Sequence, residues 1–149
     1  MNDQQNRSKV KAELDQLSAG FFRAVSFETG GAPHYQNIRA LFIDSGLLIK
    51  NSGPGPEVLG LDGFIESRQA QVASGELTRF HEAELSETTG IFGNVAQRFS
   101  AYEKSGILNG SSFATRGMIS TQFILTPTGW RMSAMAWDDE RPGLSIPVW

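Results

Sequence analysis

Thr126-Pro127-Thr128-Gly129-Trp130-Arg131-Met132-Ser133-Ala134-Met135-Ala136-Trp137-Asp138-Asp139 is the stretch whose reading decides the fold. A tight turn opens it, a strand follows, and residues 113–125 before it complete a long β-hairpin. Strict alternation sends Trp130, Met132, Ala134 and Ala136 one way and Met135 and Trp137 the other. Both sets are apolar. An antiparallel sheet with one wet face carries polar residues on that side, so this hairpin is expected to be covered twice. Helices from the N-terminal half would cover one face. A second copy of the chain, or the chain's own residues 142–149, would cover the other.

Working outward, helical spacing appears early. Val10, Leu14, Leu17, Phe21, Ala24 and Val25 recur on one side of a segment whose other side is Lys9, Lys11, Glu13, Asp15 and Gln16. This predicts a helix over about residues 7–27, with residues 1–5 frayed. Gly30-Gly31-Ala32-Pro33 ends it. A short helix is expected over 34–40. Two short strands are expected around Asp44-Ser45-Gly46, and a third helix over 63–73 behind Asp62. From Leu77 the period becomes extended, predicting strands over 77–88, 94–104, 113–125 and 130–139, joined by glycine-bearing connections. Helices first and consecutive hairpins afterwards is the α+β pattern, helices packed on an antiparallel sheet.

The 149 residues fit a single domain, 1–149. An apolar fraction of 40% against 19% charged suits a packed core rather than a disordered chain. The net charge of −3 comes with scattered Lys and Arg, which offers no footprint for nucleic acid. The absence of cysteine rules out disulfides, thiolate nucleophiles and Cys-ligated zinc. Only two histidines are present and no spacing supports a metal site, so neither metal nor cofactor is expected. The polar N-terminus and the lack of a run of ~20 apolar residues predict a cytoplasmic protein without a membrane partner.

Several stretches together resemble the nuclear transport factor 2-like superfamily. They are the helical N-terminal half, Phe92-Gly93-Asn94-Val95-Ala96, Tyr102-Glu103, and Gly129-Trp130-Arg131-Met132. The tail Ala136-Trp137-Asp138-Asp139-Glu140-Arg141-Pro142-Gly143 is similar to a bacterial, polyketide-cyclase-like (SnoaL-like) branch of it. The resemblance covers about residues 14–141. It implies a strongly curved sheet wrapped with helices into a cone, an internal pocket, and a homodimer through the outer sheet face. The superfamily holds enzymes, binders and scaffolds alike, so fold does not fix function.

His81 is the expected general acid or base, provided its strand face lines the cone. Strict alternation groups it with Leu77, Arg79, Ala83 and Leu85, and puts Glu82 and Glu84 on the opposite face. The bland alternative is a rim histidine in water. Tyr35, Phe64, His81 and Trp137 are the expected ligand contacts, in a pocket whose aromatic supply suits an apolar or planar organic molecule. Tyr102 alternates with Arg98 and Ser100 and is expected to face outward. Arg116, inside an apolar strand, is expected to meet an anion or a partner subunit. Asp138 and Asp139 point to opposite faces, with Arg141 near at hand. Gly53-Pro54-Gly55-Pro56 is a rigid turn, since proline offers no N–H to a phosphate. Three readings stay open: a small-molecule-binding domain, a pocket enzyme (isomerase, dehydratase or cyclase), and an interaction module with a filled cone.

Overall fold

Two helices and a 3₁₀ segment pack against one face of a six-stranded, curved and unclosed sheet. The computed structural model describes residues 2–147. Val148 and Trp149, part of the tail offered above as a cover for the sheet, lie outside the described residues. Among the described residues no helix is long and apolar enough to cross a membrane.

Helix α1 (Asp3–Val25) starts earlier than its apolar periodicity, because polar residues cap it. The Asn2 side chain accepts from the Gln5 N–H at 2.8 Å, and the Gln5 side chain accepts from the Asn2 N–H at 3.2 Å. This reciprocal box satisfies two donors that the first turn leaves orphaned. The face carrying Val10, Leu14, Phe21, Ala24 and Val25 is buried against the sheet. The 3₁₀ helix spans Tyr35–Ala40, and α2 spans Leu61–Ala73.

The strands are β1 (Phe42–Lys50), β2 (Glu57–Gly60), β3 (Leu77–Phe92), β4 (Val95–Leu108), β5 (Ser111–Thr126) and β6 (Gly129–Asp139). Their order in the sheet is β2-β1-β6-β5-β4-β3. The pairs are antiparallel except β1 with β6, which is parallel. Two expected short strands near Asp44 are one strand with an irregularity between Phe42 and Leu47. The hairpin connections are tighter than expected. Asn109-Gly110 turns the chain with φ of 52° and 80°, the left-handed pair that a two-residue hairpin needs.

Bulges decide which residues face the core. Ser133 has no partner in β5, which pairs Phe123 with Met132 and Gln122 with Ala134. One extra residue flips the alternation. Trp130 and Met132 before it, and Met135 and Trp137 after it, therefore all turn to the inner side. Trp130, Met132 and Met135 are buried, and Trp137 packs on the same core. The two-faced apolar hairpin read from strict alternation is thus a single apolar face carried across a bulge. Thr78 is skipped in the same way between Leu77 and Arg79, and a third irregularity lies between Glu84 and Ser86. Such extra residues bend the strands that carry them, which gives the sheet its curvature.

Candidate active site

The inner face of the curved sheet, closed over by α1, α2 and the 3₁₀ helix, leaves a cavity of about 210 Å³. Its wall is largely aromatic. Phe64 of α2 meets Trp137 of β6 edge-on, with ring centres 6.3 Å apart and planes at 86°. Phe80 and Phe113 close the opposite side at 6.3 Å. A dry cavity of roughly 150 Å³ holds benzene, so this one has room for a single ring with substituents.

Polar groups interrupt that wall at Tyr35, Arg68, Glu82 and Lys104, with Lys50 and Gln71 also lining it. Glu82 reaches the cavity because the bulge at Thr78 puts Leu77, Phe80 and Glu82 on the inner face of β3. Its backbone N–H donates to Ser26 Oγ at 3.1 Å, and Ser26 in turn donates to the Phe22 carbonyl at 2.7 Å. The end of α1 therefore fixes the strand at this residue. None of the described residues gives the Glu82 carboxyl a hydrogen bond. Burial raises it to about 7; the Asp139 charge adds to the rise, while Lys104 and Arg68 oppose it.

Lys104 lies opposite Glu82 in the β3–β4 register. Its Nζ sits 3.0 Å from Asp139 Oδ1 and 5.4 Å from the centre of the Tyr102 ring. Tyr102 also donates its hydroxyl to Asp139. Burial, then that carboxylate, hold the phenol far above its ordinary range. Gly117 makes the arrangement possible, since a Cβ there would collide with the Tyr102 hydroxyl and the Asp138 carbonyl. Tyr102 is thus fully buried on the inner face, not outward as its polar neighbours suggested. Those neighbours, Arg98 and Ser100, are buried with it and satisfied by carboxylates. Asp138 goes the other way and takes both hydrogen bonds from one nitrogen of Arg141, at 2.8 and 2.9 Å.

Tyr35 is buried, and its hydroxyl has no partner among the described residues. Burial raises it to about 12, against the pull of Arg68. The Arg68 guanidinium lies over the Phe64 ring, 4.6 Å from its centre.

The structure brings together Tyr35, Phe64 and Trp137 on the cavity wall and leaves His81 out. His81 is exposed on the outer face of β3, beside a separate open groove that also holds Glu103, Arg116 and Glu140. Strict alternation from Leu77 assigned it to the inner face; the unpaired Thr78 reverses that assignment as far as Glu84, where the next irregularity restores it. Glu82, missed as a site residue, left a signal. Leu77 and Phe80 are large apolar residues three apart in a strand, and both can face inward only across a bulge.

A second charged group occupies the same inner face further along. Arg98, 4% exposed, forks Glu84 at 2.7 and 3.0 Å and reaches Asp15 of α1 at 2.6 Å. Lys11 bridges Asp15 and Glu87 at 2.7 and 2.8 Å. Burial pushes the Asp15 and Glu87 carboxyls up. Hydrogen bonds from Lys11 to both, from Arg98 to Asp15 and from Thr89 to Glu87 outweigh it, and both end below their ordinary values.

A cone of this construction matches known structures over most of its length. A nuclear transport factor 2-like superfamily protein from Salmonella enterica serovar Typhimurium is similar with a TM-score of 0.75 and 17% identity, covering 91% of this chain and 94% of that one. This is the nuclear transport factor 2-like fold. A protein from Kribbella flavida with the same fold gives 0.76 and 16%, covering 91% and 93%. The hexachlorocyclohexane dehydrochlorinase LinA-type3 from Novosphingobium barchaimii gives 0.77 and 11%, covering 93% and 92%. No protein-family model matches the sequence, and no curated protein matches it. At these identities the nuclear transport factor 2-like fold is what the chains share.

Proposed function

We propose that the chain is a small-molecule enzyme of the proton-transfer type, working inside the cone with Glu82 as general base and acid. The observation that carries this reading is the Glu82 carboxyl itself. It is set among phenyl rings with no donor of its own, and beside Lys104, Arg68 and Tyr35. A carboxyl group that titrates near neutrality is basic enough to take a proton from carbon and acidic enough to return it.

In this mechanism the Glu82 carboxylate removes a proton from a carbon next to a carbonyl. The C–H electron pair moves to the carbonyl oxygen, where the Tyr35 hydroxyl stabilises the enolate. Returning the proton to another carbon gives an isomerisation. Expelling a leaving group from the neighbouring carbon gives an elimination. One of the similar structures is named a dehydrochlorinase, and such a reaction is a proton removal coupled to loss of chloride.

A general-base reporter tests this: elimination of 5-nitrobenzisoxazole, in which a base removes the ring C–H and the N–O bond breaks. The expected rate rises through pH 7, and Glu82→Gln lowers it by about 100-fold or more. An unchanged rate in that variant, or a wild-type rate no faster than free acetate, sinks the assignment. The second reading, binding without turnover, is favoured by the aromatic wall and would leave ligand affinity with no reporter rate. A filled cone has the 210 Å³ cavity against it.

Homodimerisation through the outer sheet face belongs to the same proposal. Leu85 and Val95 are 45% and 47% exposed. Light scattering at micromolar concentration is expected to give twice the chain mass; a monomer mass removes this part.

A further inference from the structure

We infer that the cone takes an organic carboxylate, and that Arg68 is the residue that selects it. The inference deepens the reading above, on which it rests for the cavity being a reaction site. Arg68 projects from α2 into the cavity, yet it forms no ion pair with a carboxylate among the described residues. Arg98–Glu84, Arg39–Asp62, Arg79–Glu28 and Arg141–Asp138 pairs all exist elsewhere. The hydrogen bond that Arg68 does make is a 3.5 Å contact to Ser67 Oγ next to it in sequence. Burial makes its charge harder to hold, and the Glu57 and Glu82 carboxylates oppose this without a hydrogen bond to it.

A guanidinium carries five donors in a planar fork that matches a carboxylate. A half-buried guanidinium with no protein carboxylate on its fork keeps those donors open, and an incoming carboxylate can take them. Stacking on Phe64 fixes the plane of the fork, and Trp137 fixes Phe64 edge-on. Of the other cations on the wall, Lys104 is already committed to Asp139, and Lys50 also lines the cavity. One open fork beside the Phe64 and Trp137 rings fits a singly charged group on an apolar body. The volume confines that body to about one ring. Bound this way, the ring lies against Phe64 and Trp137 and presents its far side to Glu82 across the cavity.

The test uses benzoate and its neutral isostere benzamide, with binding followed by calorimetry and thermal shift. Benzoate is expected to bind the wild-type chain clearly tighter than benzamide, and to inhibit the 5-nitrobenzisoxazole reaction competitively. Arg68→Met is expected to weaken benzoate by about thirtyfold or more while leaving benzamide unchanged. If that variant does not fold by circular dichroism, Arg68→Lys answers instead: the charge stays, the fork is lost, and benzoate affinity still falls. Equal binding of benzoate and benzamide to the wild type, or wild-type benzoate affinity in either variant, overturns the inference. Glu82→Gln separates the two proposals. Retained benzoate affinity with lost reporter turnover supports both. Retained turnover in that variant, with benzoate still dependent on Arg68, overturns the catalytic reading and leaves the carboxylate site standing.

Discussion

Glu82 and Glu84 sit two residues apart on the same face of the same strand, yet the protein treats them in opposite ways. Glu84 is forked by Arg98, which Asp15 of α1 also holds, so charge there joins helix to sheet. Glu82 has no forked partner, and the arginine nearest in role, Arg68, is left open as well. A buried charge that serves the fold is saturated by the fold. A charge that no protein group pairs, on the wall of a cavity, is available to a ligand. The two regions also titrate with opposite sign. Asp15 and Glu87 lie below their ordinary values of 3.8 and 4.5, so they stabilise the folded chain above those values and lose that contribution as pH falls. Glu82 is raised from 4.5 to about 7, so its contribution is present below pH 4.5 and is lost as pH climbs to 7.

The sharpest break of this comparison is Arg98→Met. It strands Glu84 beside Asp15 and Glu87, and urea unfolding at pH 7 is expected to show a loss of about 3–5 kcal/mol. Arg68→Met is expected to cost far less stability, because its contacts are a ring face and a neighbouring hydroxyl and no buried carboxylate is stranded. Equal costs would erase the distinction. Glu82→Gln is expected to be more stable than wild type at pH 8, by at most about 3 kcal/mol. It should also flatten the fall in stability between pH 4.5 and 7, as followed by urea titrations at a series of pH values. Asp139→Asn removes a negative neighbour and frees Lys104, both of which favour the ionised Glu82. The midpoint of the reporter's pH–rate profile is then expected to move to lower pH, with about 1–2 kcal/mol lost through the Tyr102 hydroxyl. The smallest effect belongs to His81→Ala, which should change stability by no more than about 0.5 kcal/mol and leave the reporter rate as it was. A large drop in rate would return His81 to the site.

The α+β class and most element positions were legible, because apolar periodicity in α1 and glycine-bearing turns in β3–β6 are local signals. Tyr35, Phe64 and Trp137 reached the cavity wall as expected because large aromatic residues mark whatever the sheet encloses. Side-chain direction was less legible. Counting by twos failed at Thr78 and again at Ser133, and each failure displaced a set of residues from one face to the other. The polar triplet Arg98, Ser100 and Tyr102 misled for a different reason. Polarity was taken to mean water, whereas a closed network of ion pairs and hydrogen bonds satisfies the same groups inside. Strand β2 carries little apolar pattern, and its neighbour β1 is placed by a parallel pairing with the distant β6 that no local window contains.

The unpaired Ser133 sets the phase of everything downstream on β6. Removing that one residue would bring Asp138 to the lining and expel Trp137, with no substitution anywhere. For chains built on this scaffold, a change of length by a single codon in the last strand is therefore a larger alteration of pocket chemistry than most point replacements. Aligned columns past that position should be compared only after the gap has been placed by geometry.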